Sequence, residues 1–126
     1  MKIWMLNASL EDWEATRDYC GFGSEQERSP ISAGDRIIYF CNGLIVGVFE
    51  AGKTVESEFS GLKERQFQVK LRKILVPENG LVASPLHYRT RLQPHAPLSP
   101  SLWGVSAREY EKIMQALAEG KKELVF

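Results

Sequence analysis

Cysteine and histidine are scarce in this chain, long apolar runs are missing, and the charges cancel. Two cysteines, Cys20 and Cys41, make no disulfide-dense framework. Cys41 sits in an apolar hairpin, so both thiols read as reduced and buried. His87 and His95 have no Cys or Asp clustered at ligand spacing, so no metal site is expected and no cofactor is called for. No apolar run approaches the ~18–20 residues that span a bilayer, and no basic segment followed by an apolar stretch opens the chain. The expected location is therefore cytoplasmic, away from any membrane. No nucleophile–base–acid set is recognisable, and no Gly-rich loop follows a strand to cradle phosphate. With 126 residues the chain is expected to be one domain, residues 1–126, large enough to bury a core without staples.

What is present is unevenly spread. Residues 1–60 carry five basic and ten acidic side chains, whereas residues 61–95 carry seven basic and two acidic. Clustered cations of this kind suit a modest polyanion-binding face. The alternative is a solvated strand face whose counter-charges arrive in three dimensions.

The strongest local signal is residues 34–50. Two runs of β-branched and aromatic residues flank Asn42-Gly43, a dipeptide that tolerates the positive φ angles of a tight hairpin turn. Both runs are apolar at nearly every position, so the hairpin should be buried on both faces, with Tyr39 and Phe40 in its core. Residues 2–7 read as a first strand. Ser9 and Asp12 form a capping-box-like start to a helix over about residues 10–19, anchored by Trp13. Residues 20–33 have turn composition and read as a long loop, and a polar connection is expected from Gly52 to Gly61. Residues 66–76 alternate: Phe67, Val69 and Leu71 point one way, and Gln66, Gln68, Lys70 and Arg72 turn to solvent or ligand. Pro77 to Gly80 is a turn, residues 84–101 are irregular, and Leu102–Val105 forms a last short strand. Ser106 with Glu109 is a capping box, and Tyr110, Ile113, Met114 and Leu117 give an amphipathic helix ending near Gly120. The order predicts an α+β domain whose strands curl into a small barrel.

Taken together, these pieces resemble the EVE domain, a PUA-like β-barrel related to the YTH domain. The likeness is carried by the strand Ile3–Leu6, Ser9-Leu10-Glu11-Asp12-Trp13, the pair Phe22-Gly23 with Gln26 and Arg28 downstream, and Gly34-Asp35 leading into the hairpin. The strand Gln66–Leu71 and the terminal helix complete it, so it spans most of residues 2–117. It implies a PUA-like barrel of about five to six strands flanked by helices. It also implies a binding module without catalysis, taking a modified, methylated base of DNA or RNA flipped into an aromatic pocket. An effector nuclease or NTPase, fused or encoded separately, is an implied partner.

Carried over residue by residue, the main cage aromatic falls on Phe22, where a Trp is usual in the family. Gly23 and Ser24 follow it, and Asn7, Ser9 and Asp12 fall on positions that contact the base edge. Asp12 reads equally as a helix cap. Phe59 is the candidate for a second cage aromatic, and no Trp stands there. Arg28, Lys70, Arg72, Arg89 and Arg91 are the expected phosphate contacts, which position a nucleic acid rather than specify it. Trp4, Trp13 and Trp103 sit on regular elements and read as core. Two alternatives stand beside this one. The first is an enzyme resembling ASCH proteins, acting on a nucleoside or RNA through Lys53 and Glu56. There the motif precedes the Gly-Asp hairpin, whereas here it follows. The second is a recognition domain of a larger restriction or defence protein.

Overall fold

The structure is a computed structural model that describes residues 1–8, 13–14, 18–41, 43–60, 62, 65–83 and 101–124. It is built around one sheet. The strands are β1 (Ile3–Asn7), β2 (Tyr19–Phe22), β3 (Arg36–Cys41), β4 (Leu44–Glu56), β5 (Phe67–Leu75), β6 (Leu81–Ala83), β7 (Ser101–Gly104) and β8 (Glu123–Leu124). Among the described residues, helices α1 (Glu25–Arg28) and α2 (Ala107–Ala118) accompany them. The main path runs β2-β5-β4-β3-β1-β7, with β6 on β4 and β8 on β6. The sheet curls into a half-barrel.

The hairpin takes the expected place at its centre. β3 and β4 are antiparallel, with Cys41 opposite Leu44 and Gly43 at φ 82°, a left-handed value that glycine adopts without steric cost. Asn42 lies outside the described residues. Because successive side chains alternate across a strand, the hairpin feeds two cores. Ile38 and Phe40 join Met5, Ile45, Val48 and the Ile113–Leu117 stripe of α2 on one face. Ile37, Tyr39 and Phe49 join Leu6, Trp13, Phe22 and Val69 on the other. Trp13 packs on Tyr39 and Phe49 with ring centroids 4.9 and 5.8 Å away.

A carboxylate clasps the one parallel pair that involves the chain's first strand. β1 runs parallel to β3, Ile3 opposite Arg36. Just ahead of β3, Gly34 turns at φ 92° and Asp35 is buried. Asp35 Oδ1 accepts the Lys2 N–H at 3.0 Å, and Oδ2 accepts the Trp4 indole N–H at 3.0 Å and the Ser32 N–H at 2.9 Å. Burial alone would raise this carboxyl, but the donors of Lys2, Ser32 and Trp4 outweigh it and hold it below its ordinary value. At the other end of the domain, Ser106 caps α2 by accepting the Glu109 N–H at 3.1 Å, as the capping box requires. Tyr110 and Met114 pack beside the buried stripe.

Four expectations need correction. The loop expected over residues 20–33 is instead partly ordered: Cys20–Phe22 belong to β2, antiparallel to β5 with Cys20 and Phe22 turned inward, and Glu25–Arg28 form α1. Trp13 and Glu14 are helical, yet Tyr19 already belongs to β2. The stretch after Gly52 is not a loose connection, because β4 continues to Glu56 past an irregularity between Ala51 and Thr54. Gln68 does not face solvent, for it is fully buried beneath the chain that follows β4. β8 had no signal in its two residues and exists only by pairing with β6.

Because the folded Asp35 is held below its unfolded value of about 3.9, its contribution is complete above that pH and fades as pH falls through the lower folded value. Asp35→Asn should lower urea resistance at neutral pH. It should also flatten the loss of stability below about pH 4 relative to the wild type, as read by equilibrium unfolding across that range.

Candidate nucleic-acid interface

The residues named from sequence scatter when placed on this fold. Phe22 is 0% exposed in the inner core, opposite Phe67, and is a packing residue rather than a pocket wall. Its loop-like surroundings in sequence concealed a strand. Gly23 is half-buried, and Ser24 caps α1 by accepting the Glu27 N–H at 3.2 Å. Arg28, expected on phosphate, is 8% exposed. Its guanidinium donates to the Val55 carbonyl at 2.9 Å and lies 5.5 Å from the Phe67 ring centre, so it ties α1 to the sheet. Asn7 ends β1 half-buried, opposite Phe40 and separated from β2 by three strands in the sheet order. Ser9, Asp12, Arg89 and Arg91 lie outside the described residues, as do His87 and His95.

Two named residues do come together, on a third that sequence reading missed. Tyr19 and Lys70 are direct cross-strand partners and share the outer face of the β2–β5 pair. Phe59 stacks on Tyr19, with centroids 5.6 Å apart and planes 11° from parallel. The Lys70 ammonium lies 5.9 Å from the Tyr19 ring centre. Glu58 joins them: its Oε1 accepts the Tyr19 hydroxyl at 2.8 Å and pairs with Lys70 Nζ at 3.2 Å. An open hollow of about 310 Å³ lies beside them, lined by Asp18, Tyr19, Lys70 and Leu71.

The segment that presents Phe59 is fixed from below. Gln68 is 0% exposed. Its Oε1 accepts the Phe59 N–H at 2.9 Å, while Nε2 donates to the carbonyls of Phe59 at 2.8 Å and Arg65 at 3.1 Å. Gly21, opposite Gln68, leaves room for this covering, since a Cβ there would stand 2.7 Å from the Arg65 carbonyl oxygen. Ser57 enters the segment at φ 51°, a left-handed turn.

The charges of the patch are mutually held. The Tyr19 hydrogen bond, then Lys70, lowers the Glu58 carboxyl, and Glu58 in turn raises Lys70. Tyr19 is raised, first by its bond to Glu58 and then by burial. Arg72, 70% exposed, is paired with Glu50 at 2.7 Å, and Arg36 meets the same carboxylate oxygen at 2.9 Å. Within the basic middle third, Lys70 and Arg72 thus meet counter-charges from the segment after β4 and from β4. By contrast the two thiols are buried and form no disulfide, and burial pushes Cys20 up to about 12. Lys53 and Glu56 are exposed near the end of β4, and neither lines this hollow or those near Trp4 and Trp13. Among the described residues no three His, Cys, Asp or Glu gather as metal ligands, and no helix is long and apolar enough to cross a membrane.

No family model matches the chain, and no curated protein matches it. Among solved structures it is similar to Rpa0253 from Rhodopseudomonas palustris, a structural genomics target determined by NMR. That protein is 14% identical, with 94% of each chain covered and a TM-score of 0.53. At this identity the likeness shows the fold alone: a curled β-sheet with accompanying helices.

Two substitutions separate the core from the patch. Phe22→Ala should cost about 3–5 kcal/mol of unfolding free energy, the range for a buried Phe that leaves a cavity. Gln68→Leu should cost about 1–3 kcal/mol by leaving the groups of Phe59 and Arg65 without their partner, and it should accelerate amide hydrogen exchange at Phe59.

Proposed function

We propose that this chain is a nucleic-acid-binding module that stacks an exposed base on the Tyr19–Phe59 pair and does no chemistry of its own. The observation that carries this reading is the near-parallel aromatic pair, held on the outer face of an edge strand with Lys70 beside it. Tyr19, half-buried beside the open hollow and backed by Phe59, would offer a base about 1–3 kcal/mol of stacking and tolerate any sequence, because every base has a π-face. Gln68 holds the Phe59 main chain in place, so little backbone ordering is left to the moment of binding.

The resemblance to EVE and YTH domains supports a finer version. In it the curled sheet is a PUA-like barrel, and the preferred base carries a methyl group. Burying that methyl against an aromatic ring adds about 0.8 kcal/mol, enough for a several-fold preference over the unmodified base. Phe22 has no part in this version, because the core already occupies its ring. The platform is instead Phe59 with Tyr19.

The test is fluorescence anisotropy with short single-stranded DNA and RNA, in matched forms with and without N6-methyladenine. Tyr19→Ala with Phe59→Ala should weaken binding about tenfold or more, the equivalent of one lost stacking contact, without changing the melting temperature by more than a surface substitution does. Equal binding by the wild type and this double variant would sink the proposal. Equal binding of methylated and unmethylated strands would remove only the finer version.

A further inference from the structure

We infer that Glu58 makes the patch a site for a weakly charged, exposed base, a nucleoside or a flipped nucleotide, and bars the phosphate backbone from it. This rests on the nucleic-acid reading and names the part of the ligand that the site takes. The Lys70 ammonium beside the Tyr19 ring is already engaged: one carboxylate oxygen, Glu58 Oε1, holds both Lys70 Nζ at 3.2 Å and the Tyr19 hydroxyl at 2.8 Å. A phosphate brought to Lys70 must displace this carboxylate or lie beside it as a like charge. An amino or imino N–H of a base meets the opposite situation, since Glu58 Oε2 is the oxygen that Tyr19 and Lys70 leave to other donors.

The same pattern extends along β5. Each described cation that sequence alone offered for phosphate contact has a partner within the chain. Arg28 is buried on the Val55 carbonyl, Lys70 is on Glu58, and Arg72 shares Glu50 with Arg36. Lys70 is neutralised by Glu58, Arg72 is partly neutralised through the carboxylate it shares with Arg36, and Arg28 is buried, so few counterions are released when a polyanion arrives and binding should depend weakly on salt. The Glu58 carboxyl, lowered by the Tyr19 hydrogen bond and then by Lys70, stays charged at neutral pH, which keeps the guard in place.

The experiment measures affinity against salt for a short single-stranded oligonucleotide and for adenosine, with the wild type and Glu58→Gln. For single strands each neutralised phosphate contributes about −0.7 to the slope of log K against log salt, and the wild type should show a slope shallower than about −1. Glu58→Gln frees Lys70 and should steepen that slope by about 0.7, while weakening adenosine several-fold. The double variant Glu58→Gln with Lys70→Gln should return the slope to the wild-type value. These side chains are exposed, so the variants are expected to fold, and a melting curve checks it. A wild-type slope of about −2 or steeper, or a slope unmoved by Glu58→Gln, would overturn the inference while leaving the nucleic-acid reading intact. Binding of neither probe by the folded wild type would overturn both.

Discussion

Burial of the β3–β4 hairpin on both faces is the constraint from which the rest of this structure follows. A sheet with one wet face needs one layer of cover; this one needs two. Helix α2 supplies the first through Ile113, Ala116 and Leu117. Curling of the sheet supplies the second, by bringing Phe22 and Val69 of the β2–β5 edge over Ile37, Tyr39 and Phe49. Once β2 is committed inward through Cys20 and Phe22, its alternate residue Tyr19 is committed outward. The candidate site is thus a by-product of closing the second core, and its position is dictated by the alternation of side chains along one short strand.

This explains what the sequence disclosed and what it hid. Features written in a local code were legible: the apolar runs around Asn42-Gly43, the Ser106–Glu109 capping box, and the alternation of Phe67, Val69 and Leu71. Features that depend on a distant partner were not. Tyr19-Cys20-Gly21-Phe22 carries a glycine and flanks turn-like residues, so nothing nearby marks it as a strand; β5, almost fifty residues away, makes it one. Gln68 reads as a surface amide because its hydrogen-bonding partners are backbone groups of Phe59 and Arg65, which no side-chain pattern announces. Arg28 failed for a related reason: a guanidinium can be spent on carbonyls inside the fold as readily as on phosphate outside it. Of the candidate site, Phe59 and Lys70 could be named from sequence, while Tyr19 and Glu58, which join them, could not.

The electrostatics repeat one device at two scales. At Asp35, a single carboxylate gathers three donors, from Lys2 just ahead of β1, from Trp4 on β1 and from the turn before β3, and so ties the two strands of the parallel pair together. At Glu58 and Glu50, one carboxylate oxygen serves two donors from neighbouring strands. Each acidic group does cross-strand work that would otherwise need two ion pairs.

The sheet order carries a consequence for how the molecule is made. β1, made before β3 and β7, ends up between them, flanked on both sides by segments synthesised later. It can dock on β3 as soon as the hairpin has emerged, but its other edge stays unpaired until Ser101–Gly104 arrives. For the interval in which residues between the hairpin and β7 are being translated, a strand as apolar as Ile-Trp-Met-Leu offers an open edge to any neighbour. Vectorial synthesis therefore leaves the nascent chain open to mispairing along β1, and the completing strand doubles as its protection.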